Sequence, residues 1–273
     1  MRANFSRLYS AGFYFVVVAF LGLAIFLPAS VAAQQTNCEE GGGPLSKTPP
    51  SGITPEEIIQ RFSANESAFK QAQMSYSYVM DITVQTLEGD TVTGEFRQVS
   101  ENHWVGGVRK EVVSFAPQST LRGISLSKED FEDIYRSPFV LTREDLPQYS
   151  LLYVGQQHVD EVDTYVFDVA PKQFEKGKRY FQGRVWVDKV DMVILKSCGK
   201  GVPDSLAQTQ KKKKKRRGDE DENVTPTVVG YREQIDGKYW FPTYCRSDET
   251  LHFATNDVRV REIIKYKEYK RTQ

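Results

Sequence analysis

Histidine and cysteine are scarce, three of each in 273 residues, and their spacing excludes the familiar metal sites. His103, His158 and His252 stand apart, no HExxH run occurs, and Cys38, Cys198 and Cys245 form neither a CxxC pair nor a Cys/His set. A GxSxG nucleophile elbow and a phosphate-cradling glycine loop are also missing. Asp130 with Asp133 and Asp160 with Asp163 are paired acids, but they fall in a helix start and a turn that explain them locally. The chain therefore reads as a non-enzymatic protein that needs no cofactor and no metal. Net charge is absent too, with 36 Lys and Arg against 36 Asp and Glu. Nucleic-acid binding usually shows as a strongly basic domain, so that partner class is set aside. What is present, 40% hydrophobic and 12% aromatic residues, excludes wholesale disorder.

The N-terminus carries the clearest signal. Arg2 and Arg7 are its charges, Ala11 to Leu27 is an unbroken apolar or small run, and Val31-Ala32-Ala33 precedes polar Gln34 and Gln35. This order of basic, apolar and small residues is that of a secretory signal peptide, with cleavage expected near Ala33. The alternative is an uncleaved anchor, since the run sits at the lower limit for spanning ~30 Å of hydrocarbon. The expected organisation is a signal peptide over 1–33, a flexible leader over 34–52, and one domain over 53–273. The expected location is periplasmic or otherwise exported.

Export permits disulfides. Cys198 and Cys245 both end apolar strand patterns, so they are candidates for a bridge across a sheet, with Cys38 left in the Gly-rich leader. The alternative is two buried thiols that fill space.

Thr54-Pro55-Glu56-Glu57 is a capping box with proline at the first helical position, and Ile58, Ile59, Phe62, Phe69 and Ala72 follow at helical spacing. Ser63-Ala64-Asn65 weakens the middle and marks a possible break. From Ser75 the period becomes two: Tyr76, Tyr78, Met80, Ile82 and Val84 share one face, and Asp81, Thr83 and Gln85 the other. Glu88-Gly89-Asp90 turns the chain, and Val92 to Arg97 runs back. Ser127-Lys128-Glu129-Asp130 opens a short helix that Pro138 stops, and strands then resume with turns at Asp160 to Asp163, Asp188 to Asp191 and Asp236-Gly237. About ten or eleven strands with two or three helices predict a mainly β, antiparallel sheet that is strongly curved or partly closed.

Two stretches, Gly183-Arg184-Val185-Trp186-Val187-Asp188 and Tyr239-Trp240-Phe241-Pro242-Thr243, lie in this hairpin order behind an amphipathic helix. Here the chain resembles the LolA/LolB/RseB group of outer-membrane lipoprotein-sorting-like proteins, over roughly residues 54–269. The resemblance implies a half-open β-barrel whose concave face is lidded by helices, and a role in carrying lipid or the acyl chains of lipoproteins. A second role for the same fold is a periplasmic interaction or sensor module that docks envelope proteins without transporting lipid.

An acyl chain needs only a non-directional apolar concavity. The candidate lining is Tyr76, Tyr78, Met80, Ile82 and Val84 with Phe96, facing the oily side of the first helix at Phe62; the alternative is that these side chains interdigitate as an ordinary core. The other unusual feature is Lys211, Lys212, Lys213, Lys214, Lys215, Arg216 and Arg217, followed by Asp219 to Glu222. It reads as a solvated, disordered loop over about 203–226, with contact to an anionic membrane surface as its functional alternative.

Overall fold

The computed structural model describes residues 36–203, 224–253 and 256–272. The signal-like segment and the basic run Lys211 to Arg217 lie outside the described residues. Helix α1 is Pro55–Ala72 and helix α2 is Lys128–Arg136. The strands are β1 Tyr76–Glu88, β2 Thr91–Val105, β3 Val108–Phe115, β4 Tyr149–Val159, β5 Val162–Pro171, β6 Tyr180–Asp188, β7 Ile194–Val202, β8 Val228–Ile235, β9 Tyr239–His252 and β10 Asp257–Arg271.

All ten strands form one antiparallel, curved, unclosed sheet in the order β3-β2-β1-β10-β9-β8-β7-β6-β5-β4. The half-open barrel that the sequence implies is the architecture found. Strands consecutive in sequence are paired except β3 and β4, which lie at the two edges, and the last strand, β10, returns to lie beside β1. β9 runs unbroken from Tyr239 to His252, and ten strands are present among the described residues.

The predicted capping box of α1 forms, and the expected start of α2 is closed by a second one. Thr54 accepts from the Glu57 amide while Glu57 accepts from the Thr54 amide, and Ser127 and Asp130 do the same for α2. Ser63-Ala64-Asn65 does not break α1. The Ser63 hydroxyl donates to the Gln60 carbonyl within the helix, and Asn65 reaches out to the carbonyls of Asp191 and Met192 at 2.9 and 3.1 Å. Asn65, which weakens an isolated helix, thus serves its docking instead.

Both helices pack on one face of the sheet. Ile58 and Phe62 of α1 are fully buried with Phe167, Val185, Val187 and Ile194. Ile134 of α2 packs with Met80, Ile82, Val84, Val260 and Ile264. The opposite face carries a smaller core of Val166, Trp186, Leu195, Cys198 and Val229, which Cys38 and Leu45 cover.

The segment expected as a flexible leader is paired with β4. Gly42 bridges Val159, Ser46 bridges Gln156, and the Ser46 and Gln156 amides and carbonyls exchange bonds of 2.8 Å. Gly155 permits this approach, because its φ is +153° and a Cβ there would lie 2.2 Å from the Ser46 carbonyl oxygen.

The expected Cys198–Cys245 bridge is overturned. Cys198 is bonded to Cys38, with Cα atoms 5.6 Å apart, and Cys245 is a buried free thiol. The reason is register. Cys198 pairs with Val229 on β8, whereas Cys245 pairs from the other side of β8 with Gly230, one residue on. A whole strand therefore separates the two cysteines, and the one-residue offset points them to opposite faces. Protein unfolded without reductant and then alkylated should carry the label on Cys245 alone; peptide mapping that finds it on Cys38 would reject this pairing.

Candidate functional site

A cavity of about 860 Å³ lies on the face that carries the helices. That volume falls in the ~300–1,000 Å³ range typical of ligand sites. The sheet supplies Tyr78 and Val84 from β1, Leu251 from β9 and Val260, Glu262 and Tyr266 from β10. The cover is the stretch between β3 and β4, through Ile124, Leu126, Ile134, Tyr135, Phe139 and Val140. Gly230 lets this stretch reach the sheet, since a Cβ there would meet the Pro138 Cβ at 2.6 Å. The Tyr266 hydroxyl donates to the Ser137 carbonyl and fixes the same segment from the far side.

Most polar liners are engaged with protein. Arg179 binds both Asp133 oxygens and donates to the carbonyls of Pro203 at 2.6 Å and Gly201 at 3.2 Å. Burial nevertheless pushes the Asp133 carboxyl up, against the pull of Arg179. Arg109 lies 3.6 Å over the Tyr135 ring and donates to Asn102 Oδ1 at 3.0 Å. Tyr135 in turn donates to Glu111 at 2.8 Å. Glu262 differs: it is 6% exposed, and its Oε1 is buried without a hydrogen-bond partner. Its carboxyl is pushed up to about 7, by burial first and then by the charges of Asp130 and Asp133.

The residues expected to line a groove are divided by the structure. Tyr78 and Val84 line the cavity. Met80 and Ile82, at 1% and 0% exposure, are packed core between the sheet and Ile134. Phe62 packs on Phe167 with ring centroids 6.0 Å apart. Tyr76 lies 4.7 Å from the Phe241 ring and donates to Asp236. Phe96 is half-buried, with its ring 5.5 Å from that of Phe131 on α2. A period-two stripe identifies the inward face of β1, but how far the cover stands off that face is set by residues distant in sequence. The liners on the cover were missed for that reason.

His158 pairs with Asp163 and His252 with Asp257, each at 3.0 Å between adjacent strands. These are local cross-strand pairs on exposed surface. Among the described residues no group of three or more His, Cys, Asp and Glu is arranged to hold a metal ion, and no helix is long and apolar enough to cross a membrane.

No family model matches the chain, and no curated protein does. Solved structures do. A DUF1329 family protein from Desulfovibrio piger is 16% identical over 76% of this chain and 90% of that one, with a TM-score of 0.38. A putative outer membrane lipoprotein-sorting protein domain from Vibrio parahaemolyticus is 14% identical over 79% and 91%, with a TM-score of 0.37. A LolA superfamily protein from Nitrosomonas europaea is 11% identical over 81% and 95%, with a TM-score of 0.33. These are partial likenesses of chain trace.

Proposed function

We propose that the chain is an exported envelope protein that holds a lipid, or the acyl chain of a lipid-modified protein, in the cavity between the sheet and its cover. The observation that carries this reading is the cavity itself. Interiors are normally packed to the density of organic crystals, so about 860 Å³ left among aliphatic and aromatic side chains is a departure from a plain core. Val84, Ile124, Leu126, Leu251 and Val260 offer the apolar part of the wall, which suits a chain of variable length. Export rests on the Arg2-to-Ala33 pattern, and a soluble mature protein beginning near Gln34 is the form proposed to act.

A fluorescent fatty-acyl probe tests the reading. Wild type should bind it and release it to unlabelled lipid, and native mass spectrometry of protein from its own host should show bound acyl species. Ile124→Trp places bulk in the cavity from a half-buried liner outside the regular elements. It should weaken probe binding about tenfold while leaving the melting temperature within about 2 °C. Met80→Lys is expected instead to unfold the protein, because it buries an unpaired charge in packed core. Wild type that binds no probe, with a clean native mass, would transfer the fold to the interaction-module reading.

A further inference from the structure

We propose that Glu262 receives the amine end of an amphiphile seated in the cavity, so that the ligand is an apolar chain bearing a cationic amino group; this rests on the cavity reading above. Glu262 lies on the inward face of β10, flanked along the strand by Val260 and Ile264 and across it by Val84 of β1 and Ser247 of β9. No neighbour there carries a positive charge. Its Oε1 is buried and unpartnered while the side chain lines the cavity. A buried acceptor without a donor is costly and rare in folded proteins, and a ligand that brings the donor resolves it.

The surrounding charges favour an ammonium over a carboxylate or phosphate. Asp130 and Asp133 of α2 both act on Glu262 as like charges. The cations along the cavity are committed or remote. Arg179 is held by Asp133 and backbone carbonyls, Arg109 by Asn102 and the Tyr135 face, Arg136 lies 3.7 Å from Glu132, and Lys70 lies 4.0 Å from Asp145. Lys200 is on β7, three strands from β10. An anionic head beside Glu262 would meet like charge from Glu262 and Asp130, whereas an ammonium would meet opposite charge; Asp133 is already paired with Arg179.

Proton linkage adds a second signature. The titratable groups facing Glu262 are Asp130 and Asp133 on α2 and, from β9, Cys245 and Glu249; β1 presents Val84 and Ile82. The Cys245 thiol is pushed far up by burial and stays neutral across the working range. With its carboxyl near 7, Glu262 is about half protonated at pH 7, and a bound ammonium would displace that proton.

The test compares dodecylamine, dodecanol and dodecanoate on the mature chain at pH 7, by calorimetry in two buffers of different ionisation enthalpy. The expected result is that dodecylamine binds at least tenfold more tightly than dodecanoate and releases roughly half a proton, while dodecanol releases none. Glu262→Gln should bring dodecylamine down to the affinity of dodecanol, abolish proton release, and leave dodecanol within about twofold of wild type. Should that variant fail to fold, wild type alone still decides, because its preference for dodecylamine over dodecanol should shrink as pH falls from 8 to 5. Dodecanoate binding as well as dodecylamine, or a preference that survives in Glu262→Gln or at pH 5, would overturn the inference and leave the cavity reading intact. No binding of any of the three would remove both.

Discussion

Arg232→Met is expected to lower the free energy of unfolding by about 3–5 kcal/mol, as loss of one partner from a buried ion pair typically does. Arg232 on β8 and Glu66 on α1 have side chains only 1% and 0% exposed. Nη1 of Arg232 donates to both Glu66 oxygens at 2.9 and 3.0 Å, Nη2 donates to the Phe139 carbonyl at 2.5 Å, and the guanidinium lies 5.0 Å over the Phe69 ring. Glu66 also accepts from the backbone, from the Ile194 amide at 3.1 Å and from Leu141. Burial raises the Glu66 carboxyl even with Arg232 beside it, so removing the arginine strands an acid that the interior already disfavours. Replacing both residues, as Glu66→Leu with Arg232→Met, should recover most of the loss, because two apolar groups leave no uncompensated charge. Urea unfolding at constant slope measures both effects. A loss below about 1 kcal/mol in the single variant would show that the pair is not the tie it looks to be.

The same contacts hold α1 in place. α1 is tied through Glu66 to β7 and β8, and through Ser67, which accepts from the Arg143 amide, to the stretch after α2. α2 buries only Ile134. α2 is held to the sheet by the Asp133–Arg179 pair and by Tyr135, which donates to Glu111 and lies under Arg109.

What was legible in the sequence is what neighbouring residues decide. The Thr54 and Ser127 boxes, the period-two run of β1 and the Asp236-Gly237 turn are all local, and all appear in the fold. Arg246-Ser247-Asp248-Glu249 breaks the apolar pattern of β9; in the fold Asp248 pairs with Arg259 and Arg261 of β10 on one face while Ser247 and Glu249 are buried on the other. The Cys38–Cys198 bridge depends on the leader running along β4, which no spacing reveals. Glu262 stands among Arg259, Arg261 and Lys265 in sequence, and only its parity with Val260 and Ile264 places it inward.

That inward carboxylate makes the ligand-free protein less stable as pH rises. The unfolded chain holds Glu262 near its ordinary value of 4.5, whereas the folded state raises it to about 7. Below about pH 4.5 the group is protonated in both states and its contribution to folding is fully present. Between 4.5 and 7 the folded state binds the proton that the unfolded chain has released, so stability falls with rising pH and the contribution is lost by about pH 8. The shift corresponds to a loss on the order of 3 kcal/mol. Glu66, also raised, acts in the same direction, while Asp81, which Arg97 and Lys267 hold below the ordinary carboxylate range, acts in the opposite one. The comparison must therefore be between wild type and Glu262→Gln rather than between two pH values of one protein. Urea midpoints at pH 5 and pH 8 should drop in wild type by more than in the variant, and the variant should be the more stable of the two at pH 8. An equal drop in both would mean that Glu262 is already ionised at pH 5 in the folded state, which its unpartnered Oε1 and the two nearby aspartates oppose.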